Sequence, residues 1–256
     1  MKINNIRIIP YEVHSGKQNM AIDHYFANTN STIPFAVFRF YGWNPCCISL
    51  GYHQDISNIN RKNIEKNNID IVRRPTGGSA VFHCDELTYS AIISKSIINH
   101  QQLYSLIHNI IAESLNSLGF AVYLEDSFNK ERTDICYNRA AKSEIKYDGK
   151  KLVGSAQRIY PGAILQHGSI LFSNDQLEML KYLNYSKNEI EQYKNQLKSK
   201  SIALKDISAD YSDKSILIDK IVERIKHYFS GIIFYQYLTG YEKTVIRDLQ
   251  NLFSVE

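Results

Sequence analysis

The chain has 256 residues, of which 44% are hydrophobic and 22% are charged, and its formal net charge at pH 7 is +4. These proportions, with 11 Phe and 18 Tyr for a core, exclude intrinsic disorder and predict one large domain or one domain with a small appendage. The weak positive charge does not indicate nucleic-acid binding, although it suits docking to small acidic proteins. Because apolar segments such as Leu103–Leu124 are interrupted by polar residues, and the N-terminus lacks the apolar stretch of an export signal, we expect a cytoplasmic protein that does not span a membrane.

The pattern of secondary structure changes near residue 173. Beyond it the chain is mainly helical, with polar linkers around residues 185–201 and a strongly periodic helix over Ile216–Phe229. Strands interspersed with helices before it predict an α+β fold with a largely antiparallel sheet and flanking helices. In chain order the elements predicted there are a helix at Gln18–Ala27, strands at Ala36–Tyr41 and Cys47–Gly51, a helix at Asn58–Asn67, strands at Ile69–Arg73 and Leu87–Ser94, a helix at Gln102–Leu118, and strands at Phe120–Leu124, Leu152–Tyr160 and Ala163–Phe172.

The segment RRPTGGSAVFH, residues 73–83, places two arginines before a Pro-Thr-Gly-Gly turn and an apolar strand. It has two interpretations. One is a Gly-Gly hairpin with solvated arginines. The other is a turn whose paired glycines expose N–H groups to an anion that the arginines attract. A phosphate-binding P-loop is excluded, because the segment lacks the GxxxxGK[ST] pattern and no helix follows it.

The segment KKLVGSAQR, residues 150–158, places small side chains in the middle of a predicted strand. Gly154, Ser155 and Ala156 would leave room for a ligand against the sheet. Lys151, at the start of that strand, is either an ordinary solvated lysine or a cation that reaches over this space.

The four cysteines are Cys46, Cys47, Cys84 and Cys136, and their spacing fits no zinc site, so we expect no metal. We expect all four to be reduced, with the adjacent pair packed in a strand. Taken alone, Cys136 is more simply explained as an inert small hydrophobe. A cationic neighbour would raise its thiolate fraction, and Lys151 follows it in the sequence.

Three segments in order, RRPTGGSAVFH (73–83), GKKLVGSAQR (149–158) and ILQHGSILF (164–172), resemble the biotin/lipoate protein ligase and octanoyltransferase superfamily. NMAID (19–23) and the stretch from FYGWNP (40–45) to SLGY (49–52) support the resemblance, which covers about residues 5–180. It implies the α+β ligase-type catalytic domain over residues 1–180. The remaining residues, 181–256, would then be a helical C-terminal extension packed on that domain.

Within the superfamily the sequence is most similar to the cysteine-dependent octanoyltransferases. TDICYN (133–138) matches the position of their nucleophilic cysteine, and GSAQ (154–157) replaces the GSAY usual in lipoate ligases. The resemblance implies that octanoyl-acyl carrier protein is the donor, a lipoyl-domain lysine is the acceptor, and no cofactor is needed. It implies Cys136 as nucleophile and Lys151 as the residue that stabilises charge. The substrate-binding positions it implies are Arg73, Gly77, Gly78, Ser79, His83, Gly154, Ser155, Ala156, His167 and Gly168.

The sequence departs from the family at one point and leaves other functions open. Where the family commonly has His-Asp, this chain has His83-Cys84-Asp85, so the acid is expected on the other side of the strand. An ATP-dependent lipoate–protein ligase would need ATP and Mg²⁺ and would make Cys136 incidental. An octanoyl amidotransferase acting between lipoyl proteins would use the same cysteine. A non-catalytic lipoyl-domain binder would need neither Lys151 nor the Gly-Gly turn.

Overall fold

The computed structural model describes residues 1–28, 35–125 and 144–255. Within these ranges one sheet has eight strands and another has three. The large sheet contains β1 (Lys2–His14), β2 (Phe35–Trp43), β6 (Glu86–Ser94), β7 (Tyr123–Glu125), β8 (Glu144–Tyr147), β9 (Lys150–Ile159), β10 (Ala163–Leu171) and β11 (Ser230–Tyr235). The small sheet contains β3 (Cys47–Leu50), β4 (Asp70–Arg73) and β5 (Val81–His83). The helices are α1 (Gly16–Ala27), α2 (Arg61–Lys66), α3 (His100–Ser117), α4 (Lys187–Lys200), α5 (Leu204–Ile207), α6 (Lys214–Tyr228) and α7 (Gly240–Leu249), with 3₁₀ turns at Asp175–Tyr182 and Gln250–Phe253.

The strand order of the large sheet is β11-β1-β2-β6-β10-β9-β8-β7. Strand β1 runs parallel to both of its neighbours, and the remaining pairs are antiparallel. The predicted α+β fold with a largely antiparallel sheet is therefore confirmed. None of the described helices is long and apolar enough to cross a membrane.

Alternating side chains of β2 separate the two faces of the large sheet. Phe38 and Phe40 pack in a buried cluster with α3 and α6. Val37 and Tyr41 point to the opposite face, where α1 lies. Helix α1 begins at a fixed place because the Ser15 side chain accepts a hydrogen bond from the Gln18 N–H. This second face, between α1 and the small sheet, is where the cavity described below is found.

The C-terminal region differs from its prediction in two places. The polar stretch expected as a linker forms α4, whose capping box joins Ser186 and Glu189. Residues Ser230–Tyr235 form a strand parallel to β1 rather than a helix. Composition obscured α4 because the side chains of a surface helix are mostly polar, although the Ser-x-x-Glu spacing was visible in the sequence. A boundary near residue 180 remains a prediction.

The structure corrects the expectation that every cysteine is reduced, because Cys46 and Cys84 form a disulfide. Strands β3 and β5 are antiparallel neighbours in which Cys47 pairs with His83, so the next pair outward brings Cys46 and Cys84 to a Cα–Cα distance of 4.6 Å. Cys47 is a free thiol in the core, and burial raises its pKa well above its usual value. Cys136 lies outside the described residues.

Candidate active site

A cavity lies between α1, the small sheet and the face of the large sheet formed by β2, β6, β10 and β9. Six of the predicted binding residues line it, and they are His83, Gly154, Ser155, Ala156, His167 and Gly168. The sequence interpretation missed eight further lining residues as binding positions, and they are Met20, Tyr41, Trp43, Ser49, Arg74, Val81, Thr88 and Ser169. Thr88 of β6 pairs with Tyr41 of β2 on one side and with Ser169 of β10 on the other, so the missing signal was the pairing of the strands rather than any single motif.

The paired arginines of the Gly-Gly segment donate hydrogen bonds to backbone carbonyl oxygens. One nitrogen of Arg73 donates to carbonyl oxygens at residues 51, 52 and 54, at 2.8–3.2 Å. Arg74 is 5% exposed and donates to the carbonyl oxygens of Ser49, Gly77 and Ser79 at 2.7–2.8 Å. The interpretation of Arg74 as a solvated side chain is wrong. Arg73, Gly77, Gly78 and Ser79 lie outside the cavity lining, and their role in binding stays a prediction.

The Gly-Gly turn is not a hairpin. Strand β3 lies between β4 and β5, so residues 74–80 cross over β3 instead of joining two paired strands. The turn also passes against the backbone at Gly51, where an added Cβ would lie 1.8 Å from the Gly78 carbonyl oxygen. Gly78 itself has φ +96°, a conformation that favours glycine. Gly51 and Gly78 are therefore required for this close crossing.

A buried polar network centred on Asp23 lies beneath the cavity. Its carboxylate accepts hydrogen bonds from Arg39 and Tyr41 and contacts His167 Nδ1, each at 3.0 Å. The other ring nitrogen of His167 lies 2.7 Å from the Thr76 hydroxyl. Burial alone would raise the pKa of Asp23, but the interactions with His167 and Arg39 hold it below its usual value. For His167, burial disfavours the charged imidazole and lowers its pKa.

A second buried network is centred on Glu86. Its Oε1 atom lies 2.7 Å from His83 Nδ1 and accepts hydrogen bonds from Trp43 at 3.1 Å and Ser169 at 2.6 Å. The other nitrogen of His83, Nε2, lies 2.7 Å from the Ser49 hydroxyl. Although burial favours a raised pKa for Glu86, His83 and the hydroxyl donors lower it below its usual value.

Glu86 supplies the acid that the family pattern places directly after the histidine. The expectation that Asp85 points away is confirmed, since its carboxylate pairs with Lys205 at 2.6 Å and Lys214 at 3.0 Å. Glu86, three residues after His83, makes the contact instead. The sequence interpretation missed it, although the spacing of three residues was visible.

The predicted catalytic residue Lys151 pairs with Glu144 at 2.9 Å, and both side chains are buried. A register shift turns Lys151 to the cavity face of the sheet. Val153 pairs with Ile145, but Lys151 pairs with Lys146, so β9 has one extra residue between them. Strict alternation would have placed Lys151 on the face of Val153, opposite the cavity.

The small residues of β9 and β10 pack closely against the other side of the sheet. The Ser155 hydroxyl lies 2.7 Å from Tyr89 OH and 2.8 Å from His108 Nε2. A Cβ added at Gly168 would lie 2.5 Å from the Gly154 carbonyl oxygen. The predicted stretch of small side chains therefore exists. The Ser155 hydroxyl, however, is hydrogen-bonded to Tyr89 and His108 behind the cavity wall.

No group of three or more His, Cys, Asp or Glu side chains in residues 1–28, 35–125 and 144–255 is arranged to hold a metal ion. What this arrangement offers chemically is a cavity with apolar side chains such as Met20 and Val81, two imidazoles backed by carboxylates, and a buried lysine ammonium. Such a combination can bind an acyl chain, hold negative charge on a carbonyl oxygen and move a proton.

Comparison with known proteins places these features in a family. The sequence profile of the lipoyl protein ligase A/B catalytic domain matches residues 15–230. The octanoyltransferase LipM of Bacillus subtilis is 33% identical over 230 residues, which are 82% of this chain and 80% of that protein. The octanoyltransferase LipM of Clostridioides difficile is 31% identical over 265 residues, covering 99% of this chain and 98% of that protein.

Solved structures with the same fold include lipoate–protein ligases. A bi-partite lipoate protein ligase from Thermoplasma acidophilum superposes with a TM-score of 0.78 and 17% identity over 97% of this chain and 92% of that one. Lipoate-protein ligase A bound with ATP gives a TM-score of 0.76 and 18% identity, covering 97% and 95% of the two chains. At these identities the likeness shows the fold alone.

Proposed function

The chain belongs to the lipoyl protein ligase A/B catalytic domain family, and we propose that it is an octanoyltransferase of protein lipoylation whose reaction passes through a thioester on Cys136. The observation that carries this proposal is the set of relatives named octanoyltransferase, 31–36% identical over most of the chain. The proposed donor is octanoyl-acyl carrier protein and the proposed acceptor is a lysine of a lipoyl domain. No cofactor is required.

The proposed reaction has two balanced steps. The Cys136 thiolate attacks the carbonyl carbon of the donor thioester, the C–S bond breaks, and the carrier thiol leaves. The acceptor amine then attacks the acyl-enzyme, an amide forms, and the Cys136 thiol is regenerated. Exchange between thioesters is nearly isoenergetic and amide formation from a thioester is downhill, so the sequence of steps needs no ATP.

Lys151 is proposed to hold the acyl carbonyl and its developing negative charge. A lysine ammonium can donate to several acceptors at once, so a bound carbonyl oxygen can share it with Glu144. Because both side chains are buried, their charges are weakly screened and the ammonium acts strongly on a neighbouring oxyanion or thiolate. Glu144 keeps the ammonium in place between turnovers.

The cavity supports recognition of an alkyl chain. Met20, Trp43 and Val81 give it apolar walls. Burying seven carbons at about 0.8 kcal/mol each would contribute up to roughly 5 kcal/mol of binding free energy. The proposed binding residues Gly154, Ala156 and the turn at residues 74–80 would frame that chain.

Intact mass spectrometry after incubation with octanoyl-acyl carrier protein, without ATP, tests the proposal. We expect one octanoyl adduct that hydroxylamine removes and that Cys136→Ser prevents. A Cys46→Ser/Cys84→Ser double variant is the matched control, because it removes two other sulfurs and is expected to keep the adduct. Absence of the adduct, with modification of a lipoyl domain only when ATP, Mg²⁺ and free acid are added, would instead establish a ligase.

A further inference from the structure

The second step of the proposed reaction requires a proton acceptor. An amine that attacks a carbonyl loses a proton as the amide forms. Lys151 is a buried cation paired with Glu144 at 2.9 Å, so it is suited to hold negative charge rather than to take a proton. Two imidazoles line the cavity, those of His83 and His167.

The hydrogen bonds around His83 define which ring nitrogen is basic. Arg74 Nη1 lies 3.2 Å from the Ser49 hydroxyl oxygen, and a guanidinium can only donate. An ionised carboxylate can only accept, so His83 donates from Nδ1 to Glu86 Oε1 at 2.7 Å. In the neutral imidazole Nε2 is then the acceptor, and the Ser49 hydroxyl 2.7 Å away donates to it. This is the arrangement in which a hydroxyl passes a proton to an imidazole that a carboxylate orients.

The charges around the two histidines differ. Asp23, the partner of His167, already pairs with the Arg39 guanidinium at 3.0 Å. Glu86 forms its one ion pair among the described residues with His83, and its other donors are neutral N–H and O–H groups. In addition, Glu86 Oε2 is buried without a hydrogen-bond partner. A proton arriving on His83 therefore compensates a buried negative charge that has no other cation beside it.

His83 also lies nearer the lysine end of the cavity. Glu86 pairs with Leu171 on β10, and Ile170 pairs with Val153 on β9. Glu86 and Lys151 are thus at the same end of the sheet, two strand spacings or roughly 10 Å apart. His167 pairs with Ala156, five positions along β9 from Lys151, or about 15 Å.

We propose that Ser49 and His83 accept the proton of the attacking lysine amine, with Glu86 as the positioning residue that holds and neutralises the imidazolium; this inference rests on the proposed function. As the amine nitrogen bonds to the carbonyl carbon, its proton passes to Ser49 Oγ while the Ser49 proton passes to His83 Nε2. When the C–S bond breaks, the same route returns the proton to the leaving thiolate. The net products are an amide and a thiol.

Three charged or titratable groups face this pair. Glu86, from β6, favours a proton on His83. Arg74, which contacts Ser49, opposes it. His167 faces the same cavity, and a positive charge on His83 is among the influences that lower the pKa of His167. The rate of amide formation is therefore expected to depend on pH through this group of side chains.

The test measures amide formation on a lipoyl domain under single-turnover conditions between pH 5 and 9. For the unaltered protein we expect a rate that rises through one titration and then levels. His83→Ala should lower the plateau by about 100-fold or more, the usual range for a lost general base. It should also lose the titration and recover part of the rate with added imidazole. Ser49→Ala should reduce the rate in the same step.

The variant Glu86→Gln tests whether Glu86 positions the His83 imidazole or only stabilises the fold. Without the carboxylate the imidazole loses the acceptor that orients it, so amide formation should slow while the histidine itself remains. His227→Gln, an exposed residue of α6, is the matched control and should behave like the unaltered protein. Acyl-enzyme formation, followed by mass, should fall less than amide formation in each variant, and far-ultraviolet circular dichroism shows that each is folded.

Two outcomes would overturn the inference. One is an unchanged pH profile of amide formation in His83→Ala. The other is an equal loss of acylation and amide formation. Failure of the proposed function is distinguishable, because an enzyme that forms no adduct but uses ATP still forms an amide, and the His83 variants can be compared in that reaction.

Discussion

Replacing Arg39 by Met should destabilise the protein strongly, because it leaves a buried carboxylate without its cation. The Arg39 and Asp23 side chains are 2% and 0% exposed, and their atoms are 3.0 Å apart. Arg39 also donates to Asn19 at the backbone and the side chain. Methionine keeps the length of the side chain, so the change isolates the charge and the hydrogen bonds.

The expected loss is about 3–5 kcal/mol in the free energy of unfolding, the usual cost of removing one partner of a buried pair. Urea denaturation, followed by far-ultraviolet circular dichroism, measures it from the midpoint and slope. Lys220→Met is the matched control. It breaks an exposed pair with Glu223 at 3.0 Å and should cost less than about 1 kcal/mol.

A double variant tests the physical cause. In Arg39→Met/Asp23→Asn the buried charge is gone, while the amide oxygen still accepts from Tyr41, so we expect part of the stability to return. The reasoning is refuted if Arg39→Met costs less than about 1 kcal/mol, or if the two substitutions simply add in a double-mutant cycle.

Three further outcomes are expected. Stability should fall in acid, because the pKa values of Asp23 and Glu86 are lowered in the folded state. Their contribution is complete above the unfolded values near pH 4 and is lost as the pH falls through the folded ones, which urea titrations at pH 3–6 would show. Gly168→Ala should cost about 1–3 kcal/mol, since its Cβ would lie 2.5 Å from a backbone oxygen of β9, and a melting temperature equal to that of the unaltered protein would contradict this. Glu144→Gln should lower kcat for acyl transfer more than it raises KM, because Lys151 loses the carboxylate that holds it, and steady-state kinetics that show only a KM effect would argue against that role.

Much of the fold was predictable from local patterns. The apolar stripe of α3 and the runs of β-branched and aromatic residues in β2, β6 and β10 are properties of short segments, so the sequence reveals them without any knowledge of their partners. The three motifs of the cavity were likewise recognisable. His83, His167 and the small residues of β9 each lie within a short segment of sequence that identifies them. Polar surface helices such as α4, and the edge strand β11, carry weaker local signals and were missed.

Other features depended on which strands pair and in what register. Lys151 lies on the same side of the sheet as the cavity, although outside its lining, because β9 has one extra residue between Val153 and Lys151. Alternation in the sequence alone predicts the opposite side. Arg74 is a backbone clamp because the chain crosses over β3 rather than turning back as a hairpin. Glu86 meets His83 after the chain passes from β5 into β6.

From its own residues the sequence determined the class of fold, the family and six of the residues that line the cavity. Tertiary structure decided which of them meet: that His83 is oriented by Glu86 rather than by Asp85, that Asp23 lies under His167, and that Cys46 and Cys84 are joined. The physical reason is that periodicity and turn chemistry act over a few residues, whereas these contacts depend on strand pairing between segments distant in the chain.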